Sequence, residues 1–110
     1  MDEMLLVYTT WPDAETAQAA AEAAIEARLA ACANILAPMH SIYEWKGRIE
    51  REAEIPMLLK TRSACMPSLR ALILRGHPYD TPCVIALPLI AAGSNPEFLH
   101  WIKQQTTSEQ

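Results

Sequence analysis

An α+β fold built on an antiparallel sheet is predicted by three features of the chain. Short β-prone apolar runs and helical periods alternate along it. Two helices carry clear start and stop signals. A long middle stretch has a period of two and is broken once, by Gly47. With 110 residues, one domain spanning 1–110 is expected.

The elements follow in order. "MLLVYTT" (4–10) is apolar and β-prone and stops before Pro12, as a buried strand would. The segment 12–31 follows with Asp13 as N-cap and an acid in the first turn. Ala17, Ala21, Ala24, Ile25 and Leu29 recur at helical spacing, so a helix with an alanine face should lie close on a sheet. Residues 32–61 show no helical period. Ser41, Tyr43 and Trp45 share one side of a strand, Gly47 supplies a turn, and Ile55, Met57 and Leu59 alternate, predicting a hairpin with long arms. Pro38 and Pro56 lack the ladder donor and mark edges or bulges.

A second helix is expected over 63–76, capped by Ser63, with Pro67 in its first turn and Gly76 as its C′ residue. "CVIALPL" (83–89) is continuously apolar, the pattern of a central strand buried on both faces. Asn95 caps a short last helix with Pro96 at its first position, and the polar tail from Thr106 is expected to fray. The order β-α-β-β-α-β plus a C-terminal helix is that of the ferredoxin-like split βαβ arrangement, with helices on one sheet face. Its other face requires a cover, from the last helix or from another subunit, and the long hairpin offers free edges. Self-association is therefore expected.

Composition excludes several classes. A formal charge of −4 disfavours nucleic acid, whose phosphates call for a basic face. No apolar run approaches the ~20 residues that span a bilayer, and the acidic start "MDEM" is unlike a signal peptide, so a cytoplasmic protein without a membrane partner is expected. Cys32, Cys65 and Cys83 are widely spaced and form no CxxC pair, as suits reduced thiols.

Six stretches, "TTWPD" (9–13), "RLAACANI" (28–35), "SIYEWKGRIE" (41–50), "LLKT" (58–61), "HPYDTP" (77–82) and "NPEFLHW" (95–101), together resemble the CutA family of divalent-cation tolerance proteins from about Leu5 to Trp101. The resemblance implies a ferredoxin-like fold, a compact homotrimer, a cytoplasmic home in bacteria and a link to divalent metals, copper above all. By position it carries over Cys32, Tyr43, Trp45, Lys60, His77, Pro78 and Tyr79. Two residues depart from the family pattern. Trp11 stands where many members have a small residue or cysteine, and Cys83 stands where an acid is usual.

The candidate chemistry divides three ways. Cys32, His77 and Cys83 offer soft sulfur and imidazole ligands that suit copper or another divalent ion, the protein's one expected cofactor, and no organic cofactor is expected. The same cysteines equally fit small buried strand residues. Tyr43, Trp45, Lys60 and Tyr79, with His77, would line an intersubunit cleft whose aromatic walls and cation suit a small anionic metabolite, making the protein a sensor. His77 with Asp80 could serve acid–base chemistry, but no nucleophile elbow or phosphate loop accompanies it, so no catalytic residue is assigned and a non-enzymatic protein is expected. Cys65, at a helix start, is either dipole-activated or simply packed. His40 and His100 are assigned no function, and the acidic run from Glu50 to Glu54 is read as a solvated stretch protecting an edge.

Overall fold

The computed structural model describes residues 2–107. In chain order the elements are β1 (Met4–Trp11), α1 (Ala14–Glu26), β2 (Cys32–Ile35), β3 (Met39–Trp45), β4 (Arg48–Arg62), α2 (Met66–Gly76), β5 (Val84–Pro88) and α3 (Pro96–Gln105), with single 3₁₀ turns at Ser63–Cys65 and Ala91–Gly93. The sheet order is β2-β4-β1-β5 and every neighbouring pair is antiparallel. Placing β4 between β1 and β2 is the split βαβ of the ferredoxin-like fold that the element order predicted.

The expected first arm of the hairpin is two strands. β2 pairs with the C-terminal half of β4 and β3 with its N-terminal half, while 36–38 leave the sheet at Pro38. Pro56 pairs with Thr10 of β1, and on its other side it falls where β4 passes from β3 (last pair Met39↔Glu54) to β2 (first pair Ile35↔Met57), the side its carbonyl faces, so the missing N–H falls in a gap of the ladder. Beyond the sheet the β3–β4 hairpin projects freely and closes through Lys46 and Gly47, both at positive φ (53° and 79°), as a two-residue turn requires. This arm raises the radius of gyration to 14.6 Å, against ~13 Å for a compact chain of this length.

Strand alternation divides the sheet. Val7, Trp11, Met57 and Leu59 face α1 and α2 and are fully buried with Leu69 and Ile73. Ala17, Ala21 and Ala24 form the predicted close-packing stripe of α1; Ile25 stays partly exposed. The opposite face carries the rows Cys32–Lys60–Leu6–Leu87 and Asn34–Leu58–Tyr8–Ile85. α3 packs against β4 and β1, yet Ile85 and Leu87 remain about half exposed, at 49% and 47%.

Several expectations are corrected. "CVIALPL" is not a central strand: β5 pairs with β1 alone and is an edge. Its apolar run serves a sheet face that this chain leaves open. α1 stops at Glu26 rather than running to Ala31. Arg28 (φ 60°) takes the left-handed C′ position, with Arg28 N–H on the Ile25 carbonyl and Leu29 N–H on the Ala24 carbonyl, the two bonds of a Schellman stop.

Ser63 does not cap α2. The Asp2 carboxylate instead braces the 3₁₀ turn ahead of α2, accepting from Ala64 N–H, the Ser63 hydroxyl and Arg62. Burial pushes the Asp2 pKa up, and those hydrogen bonds with the Arg62 charge outweigh it, so the net shift is downward. Gly76 is the last helical residue at ordinary φ, not a left-handed C′ glycine. His77, held extended ahead of Pro78, ends the helix instead.

The tail is docked as far as it is described. Thr106 is buried and its hydroxyl donates to the Ile102 carbonyl, while Thr107 N–H reaches the Arg28 carbonyl. Residues 108–110 lie outside the described residues.

Candidate functional site

A cleft of about 520 Å³ opens between the projecting hairpin and the loop that joins α2 to β5. β4 supplies Glu50, Glu52 and Glu54. Residues two apart on a strand share a face, so all three point the same way. The register then sets Tyr43 opposite Glu50 and Met39 opposite Glu54, which puts Tyr43 and Trp45 on that same face. The loop contributes Tyr79, Asp80, Thr81 and Cys83, and Thr10 closes the floor.

Two tyrosine–carboxylate pairs organise the walls. The Tyr43 hydroxyl donates to Glu52 Oε1 at 2.8 Å, and the Tyr79 hydroxyl donates to Glu54 Oε2 at 2.9 Å. The hydrogen bond to Glu52 pushes the Tyr43 pKa up to about 12. Burial, then the bond to Glu54, raises that of Tyr79. Burial raises the Cys83 thiol as well, and the nearby Glu54 charge adds to it. Among the described residues no lysine or arginine lines the cleft.

His77 sits behind this wall, not in it. It is buried, its ring stacked on Trp11 with centroids 4.2 Å apart. Nδ1 accepts the Tyr79 backbone N–H at 3.2 Å, so the ring hydrogen is on Nε2, which donates to the Thr10 carbonyl at 2.7 Å. Both nitrogens are therefore engaged, and neither offers a lone pair to a ligand or a substrate. Trp11, the departure noted from the sequence, is fully buried and anchored by its Nε1–H to Thr9 Oγ1.

The soft-ligand trio is not assembled within the chain. Cys32 pairs with Lys60 toward the other end of β4 from the cleft, with its thiol directed at Asn34 Oδ1. His77 has no free nitrogen, and Cys83 alone reaches the cleft. Among the described residues no three His, Cys, Asp or Glu side chains are placed to hold a metal ion together. Lys60 also lies away from the aromatic residues expected to join it. Its ammonium donates to Asn34 Oδ1 and stands 5.6 Å from the Phe98 ring centroid. The cleft within one chain thus holds Tyr43, Trp45 and Tyr79 of the expected set beside four carboxylates, and Lys60 is not part of it; the cleft shared between subunits that the sequence suggested needs more than one chain to form. Cys65 is buried and its thiol meets the Thr107 carbonyl. Glu50, Glu52 and Glu54 are read from sequence as solvated; Glu52 is exposed and Glu50 partly so, while Glu54 is buried, and all three line the cleft. Their signal was the shared strand face with Tyr43 and Trp45.

The family model described as CutA1 divalent ion tolerance protein matches residues 5–105. The chain belongs to that family. Protein CutA of Mus musculus is 44% identical over 101 residues, 92% of this chain and 56% of its own length. This chain therefore spans little more than half of that relative. The divalent-cation tolerance protein CutA of Thermus thermophilus is 39% identical over 106 residues and is covered almost entirely, at 99%. Among solved structures, CutA1 from the psychrotrophic bacterium Shewanella sp. SIB1 superimposes with a TM-score of 0.90 at 40% identity, covering 94% of this chain and 95% of its own. The CutA likeness runs through hairpin, cleft loop and α3 alike.

Proposed function

We propose that this CutA-family chain is a homotrimeric divalent-cation tolerance protein of the cytoplasm that binds cations in its acidic cleft and catalyses no reaction. The observation that carries this reading is four carboxylates, Glu50, Glu52, Glu54 and Asp80, lining one cleft without a basic residue. Such a cleft concentrates cations by its field alone.

The donor set is carboxylate oxygen plus the single thiol of Cys83, which suits oxygen-seeking divalent ions better than Cu(I). Copper, the metal expected from the resemblance, would meet scattered carboxylates and one thiol here, not three side chains grouped around one point, and Cys32 and His77 would take no part. The thiol's raised pKa makes its proton harder to displace, so any copper affinity should climb steeply with pH. The absence of catalysis is supported by His77, whose ring nitrogens are both committed to the backbone. Assembly is supported by the half-exposed Ile85 and Leu87 on an uncovered sheet face and by the free arm of the hairpin. Three free cysteines suit a reducing compartment.

The test is calorimetric titration with Mn(II), Zn(II) and Cu(II), alongside light scattering. Binding that disappears in Glu52→Gln/Glu54→Gln, on a particle of about three times 12.2 kDa, meets the proposal. Unchanged binding in that double variant, or a monomer mass, overturns the corresponding half.

A further inference from the structure

The cleft is poorly matched to a bare metal ion in three respects. It is far larger than one ion, at about 520 Å³, within the size range of small-molecule sites. Its carboxylates are spread along a strand and around a loop, and no three donors converge. Much of its wall is aromatic, and a hydrated dication gains little from an indole or phenol face.

Glu54 adds an independent indication. It is only 7% exposed, yet Tyr79 satisfies just one of its oxygens. Oε2 takes that hydroxyl, while Oε1 has no partner among the described residues and opens to solvent in the cleft. A carboxylate this deeply placed calls for a positive partner or further donors. Trp45, half exposed at the rim, offers the opposite kind of contact. The chain's own Lys46 ammonium already stands 6.0 Å from its ring centroid, a cation–π contact at the outer limit of range.

We propose that the cleft binds a small organic cation bearing N–H donors, an alkylamine or diamine, with its charged nitrogen on Glu54 and Glu52 and its carbon chain against Trp45 and Tyr43. This rests on the reading of the cleft as a cation site and names the class of cation. An ammonium supplies N–H donors in place of solvent at Glu54 Oε1, which a quaternary amine cannot do. The methylene chain covers aromatic surface that an inorganic ion leaves wet. Tyr43 and Tyr79, as donors to the carboxylates, hold both acceptors in place before the ligand arrives.

The experiment is calorimetric titration of the full chain with 1,4-diaminobutane, tetramethylammonium and Mn(II) at equal ionic strength. The expected result is one diamine per chain, bound at least tenfold more tightly than tetramethylammonium. Glu54→Gln should weaken it at least tenfold, and Trp45→Ala about three- to tenfold, with Trp45→Phe restoring most of the loss. Tyr79→Phe, which frees Glu54 without removing its charge, guards against a Glu54 variant that fails to fold, and should change diamine affinity at least threefold. Mn(II) binding that is lost in Glu54→Gln but indifferent to Trp45→Ala, with no diamine heat, overturns the organic ligand and leaves the cation cleft standing. Absence of binding by every cation overturns both. Diamine affinity unmoved by all of these substitutions places any binding elsewhere and overturns the inference.

Discussion

Trp11 lies flat on His77, ring centroids 4.2 Å apart and planes 25° from parallel. The indole occupies one face of the imidazole, while Tyr79 leans on the ring at 4.7 Å. The histidine of the "HPY" motif is thereby built into the joint between β1 and the α2–β5 loop. It ties the Thr10 carbonyl to the Tyr79 N–H, and so fixes the loop that carries Tyr79, Asp80 and Cys83 to the cleft.

That role predicts a stability effect. His77→Ala should cost about 2–4 kcal/mol, from the cavity beside Trp11 and two backbone groups left without partners. Urea denaturation at fixed protein concentration checks it. The midpoint should fall with little change in slope, since the folded and unfolded states stay the same. Loss of cation binding at the cleft without loss of stability would show instead that the ring meets the ligand.

Cys83 and Tyr43 predict behaviour in alkali. Folding raises both pKa values, so the native state holds these protons more tightly than the unfolded chain does. Their contribution to stability is full below the unfolded values, 9.0 for the thiol and 10.0 for the phenol, and is lost as pH climbs through the raised ones. Thermal stability should therefore decline above pH 9. The thiol effect is separable: Glu54→Gln removes the smaller of its two causes, so alkylation of Cys83 near pH 8 should accelerate roughly two- to fivefold, followed by mass spectrometry of its peptide. Cys32, paired with Lys60 away from Glu54, should react at an unchanged rate.

Arg28 predicts a difference between two substitutions. It holds a left-handed backbone, and its guanidinium reaches the Gln104 carbonyl at 2.8 Å, tying the end of α1 to α3. Arg28→Ala loses the tie and keeps the strain. Arg28→Gly loses the tie and relieves the strain. The glycine variant should therefore be the more stable of the two by about 1 kcal/mol, measured by denaturant midpoints.

What the sequence revealed and what it hid divide by range. Asp13 and Asn95 as caps, the Lys46–Gly47 turn and the alanine stripe of α1 are local matters, set by backbone geometry and helical period, and all appear where the residues predict. The fold followed from their order. The cleft did not, because it arises where the loop after α2 meets a hairpin more than twenty residues earlier in the chain. Lys60, carried to the cleft by the family resemblance, shares a strand face with Glu54, but within one chain six residues of strand set the two ~20 Å apart. Cys32 was separated from Cys83 by the same strand order, β2 and β5 being opposite edges. The acid run reads as solvated, and Glu52 is exposed as that reading has it, while Glu54 is buried because the loop after α2 turns its end of the strand face into a wall.

The open sheet face makes the last prediction. Ile85 and Leu87 stand on an edge strand, about half exposed, in rows that continue through Leu6, Tyr8 and Leu58. An apolar face of this kind is costly to leave in water, at roughly 25 cal/mol per Å². Within one chain the two side chains contribute little to the core that α1 and α2 cover, so a charge there should spare the fold and oppose association. Ile85→Glu/Leu87→Lys should therefore lower the mass by light scattering from about three chains to one at micromolar concentration, with far-ultraviolet circular dichroism retained. Its melting temperature should also become independent of protein concentration, where that of the parent should rise with concentration as an assembly's does. An undiminished mass in this variant would place the subunit contacts on the hairpin edges instead, and the free edge of β3 would be the next surface to charge.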